Sequence, residues 1–175
     1  MLVRTLSYAV IVYAAVAIAE PIVDRTLYTA YLLRQPIPNA LMVPVQGTRP
    51  TAVQNSWHAS RDGGRRRHEG IDLFAPKGTP VRATTEGIIR RIGISKLGGK
   101  VVWILGPAGQ RHYYAHLDGF AHIRTGQRIQ KGTTLGYVGN TGNARSTPPH
   151  LHYGIYGASG AINPFPFLKR EQHRS

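Results

Sequence analysis

No cysteine occurs in this chain of 175 residues. That absence excludes disulfides, a cysteine nucleophile, zinc ribbons and iron–sulfur clusters, and leaves His, Asp and Glu to hold any metal. Acidic residues are scarce too: 8 Asp plus Glu stand against 22 Lys plus Arg, a net charge of +14. Such a surplus points to an anionic partner, whether nucleic acid, an acidic polymer or an anionic membrane surface. Charged residues are only 17% and hydrophobic ones 42%, a composition for a packed core and not for a disordered chain. From residue 51 onward no stretch sustains a 3.6-residue apolar period for twelve positions, which argues against long helices there. An HExxH helix of the zincin kind is also missing.

Near the N-terminus, residues 5–19 run for fifteen positions without a charge. As a helix at about 1.5 Å per residue they reach roughly 22 Å, short of a hydrocarbon core near 30 Å. Arg4 precedes the run, and Ala17-Ile18-Ala19 fits a small-x-small cleavage site. Residues 1–19 therefore read as a secretory signal peptide. The rival reading is a retained membrane anchor extended by residues 22–33, in which Glu20, Asp24 and Arg25 would sit badly. Under either reading the remainder is expected outside the cytoplasm, in the envelope or periplasm, where nucleic acid is not an expected partner.

Residues 20–42 read as a helical and Pro-rich linker, and 169–175 as a basic tail. Between them, runs at 41–45, 80–83, 87–92, 101–105, 112–116, 135–138 and 151–156 are short, apolar or alternating, and bounded by Gly, Pro or Asn. They predict an all-β, mainly antiparallel domain over 43–168. One internal echo stands out: Lys77-Gly78-Thr79-Pro80-Val81 against Lys131-Gly132-Thr133-Thr134-Leu135.

Eight histidines are present, four of them in three suggestive constellations. His68 and Asp72 are four apart, an even offset that on a strand puts both side chains on one face. His150-Leu151-His152 places two imidazoles on one strand face with Leu151 turned to the core. His116 ends the aromatic run Tyr113-Tyr114-Ala115. Two imidazoles and a carboxylate are an ordinary zinc set, with water as a fourth ligand in catalytic sites. Without HExxH, a general base has to come from a spare histidine, and His116 and His150 are available.

With those residues in view, the chain resembles the lysostaphin-type, LytM-like zinc endopeptidases of bacterial cell walls. The matching segments are HEGIDLFAPKGTPVRA (68–83), YYAHLD (113–118), KGTTLGYVGNTGNA (131–144) and PPHLHYGIY (148–156). The resemblance implies a barrel-like duplicated hybrid motif, open along a groove, and makes the Lys-Gly-Thr echo a trace of the duplication. It further implies one Zn2+ per chain, held by His68, Asp72 and His152, with His150 free beside it and His116 in the second catalytic position. Peptidoglycan is the implied substrate, cut in its stems or cross-links by zinc-activated water. One of His116 and His150 would take the water proton and the other would stabilise the oxyanion. Activity should then fall below about pH 6, where imidazole protonates. A non-catalytic envelope module that binds wall or activates an amidase is the alternative.

Other residues have smaller roles in this reading. Arg65, Arg66 and Arg67 form a basic turn that would meet stem carboxylates in a functional reading. Tyr113, Tyr114 and Trp103 read as core residues first, with either tyrosine, Tyr114 or Tyr113, able to edge the groove and meet substrate. His112 reads as an exposed strand residue. His58 stands where members of the family usually have Gly, as a surface variant.

Overall fold

A computed structural model describes residues 22–170. The segment 1–19 lies outside these residues, as do positions 171–175 of the tail. Among the described residues, no helix is long and apolar enough to cross a membrane.

The described residues begin in helix α1, over 22–34. A small hairpin follows, made by β1 (Ser60–Arg61) and β2 (Arg66–Arg67). The remaining nine strands build one sheet: β3 (Ile71–Phe74), β4 (Pro80–Arg82), β5 (Gly87–Ser95), β6 (Gly99–Leu105), β7 (Arg111–Phe120), β8 (Arg128–Ile129), β9 (Thr134–Val138), β10 (His150–Gly157) and β11 (Gly160–Ile162). Its order runs β11-β10-β7-β6-β5-β8, with β3 on β10 and the β4–β9 pair attached through β7. The sheet stays open, and helix α2 (Phe165–Lys169) closes the described chain. This is the mainly antiparallel, turn-punctuated architecture that the sequence predicts.

The Lys-Gly-Thr echo has a structural counterpart. Gly78 and Gly132 both take left-handed backbone, φ +87° and +88°, which suits glycine. Strands β4 and β9 pair antiparallel. Each turn then bonds to the far end of the other's strand: Gly78 N and Val138 N donate to Val138 O and Thr79 O, while Gly132 N and Ala83 N donate to Ala83 O and Thr133 O, all at 2.8 Å. Two copies of one sequence phrase thus grip each other around a local two-fold.

Residues 41–45 are extended but form no strand, making one isolated bridge, Val45 to Val81. Pro44 has no N–H for a ladder and contributes only its carbonyl, to Arg82 N. Leu41, Val43 and Val45 nevertheless pack into the main core beside Ile71, Leu73, Val81, Leu117, Leu151 and Ile155. Each such side chain contributes about 1.5–3 kcal/mol by leaving water. Helix α1 docks separately: Tyr28 and Leu32 pack on Ile88, Tyr28 OH donates to Glu86 Oε2 at 2.9 Å, and Arg128 lies 3.8 Å over the Tyr28 ring.

One correction concerns His112. It is fully buried, not exposed. Alternation along β7 turns it to the core side with Tyr114, where Tyr153 OH lies 2.7 Å from its Nδ1. Thr84 Oγ1 ties in Tyr114 OH at 2.9 Å and Tyr153 OH at 3.0 Å. Burial pulls His112 down from 6.5 to about 4. The unfolded chain takes up this proton below 6.5 and the folded chain refuses it. Stability is therefore whole above 6.5 and falls as pH drops toward 4, by about 3 kcal/mol in total at 1.36 kcal/mol per unit. Urea unfolding at pH 7 and 4.5 should show that decline, and His112→Gln should lose its share of it.

Candidate metal centre and active site

Alternation sorts the side chains of β3 and β10. Ile71, Leu73, Leu151, Tyr153 and Ile155 enter the core, which leaves Asp72, Phe74, His150 and His152 on the opposite face. The register sets Asp72 against His152 and Phe74 against His150. His68 lies in the turn before β3, not on a strand, and reaches the same point. His68 Nε2 is 2.8 Å from His152 Nδ1 and 3.0 Å from Asp72 Oδ1, and His152 Nδ1 is 3.2 Å from that oxygen. Gly70 makes the approach feasible, since a Cβ there would stand 2.5 Å from His152 Cε1.

The donor set fits a metal ion. His68 Nδ1 donates to Ser56 O at 2.7 Å, so in the neutral ring Nε2 is a bare acceptor aimed at the Asp72 oxygen. Acceptors held this close repel unless a cation or proton lies among them. Zinc with ligands at about 2.0–2.1 Å in a tetrahedron needs donor atoms about 3.3 Å apart, near the spacing seen. These three are the metal-capable cluster among the described residues. Burial works to raise the Asp72 carboxyl, but protons that the His152 and His68 rings present to it, standing where a cation would, outweigh burial and hold Asp72 well below the usual carboxylate range. Burial lowers His152 against the pull of Asp72. Ser56 Oγ accepts from Asp72 N at 3.0 Å, so one serine supports both donors.

His116 joins them through a break in alternation. Residues 112 and 114 face the core, and a regular strand would send residue 116 there too. Instead β7 bulges against β6, where the pairing shifts between Val102–Tyr114 and Lys100–Leu117. His116 takes φ +62°, a strained value for a non-glycine residue. The ring turns to the groove, 5.0 Å from the His150 ring and 5.9 Å from that of His152 between centroids. His116 Nδ1 donates to Thr141 O at 2.8 Å and His150 Nδ1 to Pro148 O at 2.9 Å. Both neutral rings therefore keep Nε2 as a proton acceptor. Burial lowers His116 to about 4, against the opposing Thr141 hydrogen bond.

These groups line one groove of about 790 Å³, with Arg61, Arg66, Arg67, Trp103, Tyr113 and Tyr156 among its walls. Tyr114 does not edge it. That side chain is fully buried, its OH held by Thr84, and the next residue along the pleat, Tyr113, takes the groove face. Trp103, expected in the core, packs its ring at a tilt against Tyr113 at 4.3 Å and Tyr156 at 5.4 Å between centroids, along the groove wall. Of the three arginines, Arg66 pairs with Asp62 and Arg67 reaches the His58 carbonyl at 3.5 Å, while Arg65 turns back to Asp62 O away from the groove. His58 is exposed with φ +60°, a backbone that explains glycine at this position.

Sequence reasoning missed Arg61, Ser56 and Tyr156. Asp62-Gly63-Gly64 is a hairpin signal that would have set Arg61 opposite Arg66. Nothing local marks Ser56.

An open antiparallel sheet carrying two imidazoles and a carboxylate, with two more imidazoles alongside, has the layout of a hydrolytic metal centre. The model of Peptidase family M23 matches residues 66–164. The chain belongs to this family. It is 40% identical over 129 residues to the L-Ala–D-Glu endopeptidase of Bacillus subtilis, covering 67% of this chain and 40% of that one. It is 36% identical over 108 residues to lysostaphin of Staphylococcus simulans, covering 58% of this chain and 21% of that one. The lysostaphin catalytic domain from S. simulans superposes with a TM-score of 0.60 at 31% identity, covering 69% of this chain and 96% of that domain. The chain spans 40% or less of the length of these curated relatives.

Proposed function

We propose that this chain is a zinc-dependent endopeptidase that hydrolyses peptide bonds of peptidoglycan in the cell envelope. One observation carries the reading: three convergent donors share an open groove with two imidazoles whose free Nε2 atoms are fixed by backbone carbonyls. Relatives named for acting on peptidoglycan bonds, among them the peptidoglycan DD-endopeptidase ShyC of Vibrio cholerae, 35% identical over 91 residues, support the substrate. Export, by a cleaved leader or a retained anchor at 1–19, would bring the basic chain to an anionic wall.

His68 Nε2, Asp72 Oδ1 and His152 Nδ1 would hold the ion. When bound, zinc supplies Lewis-acid polarisation of the scissile carbonyl and makes water a nucleophile near neutral pH. The protein's own part is proton handling. One of His116 and His150 accepts the water proton at Nε2 and returns it to the leaving nitrogen, while the other donates to the developing oxyanion. Arg66 and Arg67 would meet stem carboxylates along the groove wall.

The test is mass spectrometry of fragments released from purified peptidoglycan, with zinc and with chelator. New peptide ends that vanish with chelator are expected, and they identify the bond. No release from several wall types by zinc-loaded protein would favour the wall-binding or amidase-activating module instead.

A further inference from the structure

Arg61 touches the candidate centre directly, and neither the metal set nor the proton relay uses it. It sits at the end of β1, where the Asp62–Gly64 turn folds the hairpin back. Its guanidinium donates to Asp72 Oδ2 at 2.5 Å. The other oxygen of that carboxylate faces His68 and His152. One carboxylate, itself a member of the donor set, therefore bridges a permanent cation and the two imidazole donors. Asp72 is 10% exposed at its side chain, whereas Arg61 keeps 39% of its own toward the groove that it lines. Among the described residues the Arg61 side chain makes no other hydrogen bond, so of its five N–H groups the remainder are available to a ligand. Arg66 and Arg67 line the same groove but bond to Asp62 and to the His58 carbonyl, not to Asp72.

We propose that Arg61 is a further catalytic residue, donating to the carbonyl oxygen of the scissile amide as negative charge gathers there. The inference rests on the endopeptidase reading above. Addition of water to an amide turns the carbonyl oxygen into an oxyanion, and a donor fixed beforehand at that place stabilises the transition state more than the ground state. A guanidinium suits the task because its hydrogen bonds are charge-assisted and it does not deprotonate. The tether to Asp72 holds it in position before substrate arrives. Arg61 exchanges no proton: the water proton passes through imidazole to the departing nitrogen as the C–N bond breaks, and the guanidinium keeps all of its own.

The experiment compares the full zinc-loaded chain with Arg61→Ala, Arg61→Gln and Arg61→Lys, on soluble peptidoglycan fragments and by chelator competition for zinc. Removing one oxyanion donor typically lowers kcat by about 10²–10³. Arg61→Ala should therefore lose at least about a hundredfold in kcat, with KM shifted by less than about threefold and zinc affinity by less than about tenfold. Arg61→Lys should recover about tenfold of that loss, and Arg61→Gln should fall between the two, which keeps the test open if the alanine variant does not fold. An unchanged kcat would overturn the inference, and so would zinc affinity falling in step with kcat, since Arg61 would then only hold Asp72. Absence of cleavage by the unaltered chain would overturn the endopeptidase reading and this inference together, whereas cleavage insensitive to Arg61 would overturn this inference alone.

Discussion

Replacing His152 by alanine is expected to abolish zinc retention and to lower peptidoglycan hydrolysis by at least about a thousandfold, with the sheet intact. His152 Nδ1 is one of three donors within 3.2 Å of one another, and no fourth protein donor joins the cluster among the described residues. Two ligands cannot close a zinc site. A bound metal contributes several kcal/mol to the transition state, and about 4 kcal/mol is a thousandfold in rate. The neighbouring side chains on the core face, Leu151 and Tyr153, are untouched by the change, so strand β10 keeps its packing. Equilibrium dialysis against zinc checks the first part and fragment release the second. Thermal unfolding adds a third readout. Zinc at a hundred times its Kd should stabilise the unaltered chain by about 2.7 kcal/mol and leave the variant where it was. Retained zinc with unaltered hydrolysis would remove His152 from the ligand set.

The second large effect is expected at His116. Loss of a general base or acid costs about 10²–10⁴ in rate, and His116→Ala should show that loss while keeping its zinc. The pH profile carries a sharper statement. A base acts when neutral, and burial disfavours the imidazolium, so His116 stays neutral down to about 4. The acidic limb belonging to this group therefore lies near 4, lower than the value near 6 expected for an unperturbed imidazole. Rate profiles of the unaltered chain, His116→Ala and His150→Ala separate the two histidines. The variant that loses this limb identifies the proton acceptor. A limb near 6 that survives in His116→Ala would give the role to another group.

Much of this was legible in the residues. The even offset of His68 and Asp72 predicted that they converge, although His68 gets there from the turn before β3 and not along a strand. The offset of His150 and His152 put both on one face, which the pairing of β3 with β10 brings against Asp72. Turn residues predicted most strands. What stayed hidden depends on contacts distant in sequence or on irregular backbone. His112 looks polar and exposed until Thr84 and Tyr153, 28 and 41 positions away, enclose it. The bulge that sends His116 into the groove has no residue signature, because a histidine at φ +62° is chosen by its surroundings and not by propensity. Tyr113 and Tyr114 are equally aromatic, and only the phase of the pleat decides which one meets a substrate. Pro44 was a visible warning that 41–45 would not pair as a strand.

Asp72 and His152 face each other across one rung of a ladder whose adjoining rungs are Ile71–Tyr153 and Leu73–Leu151. The Asp72–His152 pair is thus seated directly on the hydrophobic core beneath it. Any event that unzips those rungs, such as heat, acid or a cavity at Leu151, parts the pair at the same moment. Loss of hydrolysis on warming should therefore trace the melting of this sheet point for point, making turnover a built-in gauge of whether β3 and β10 are still joined.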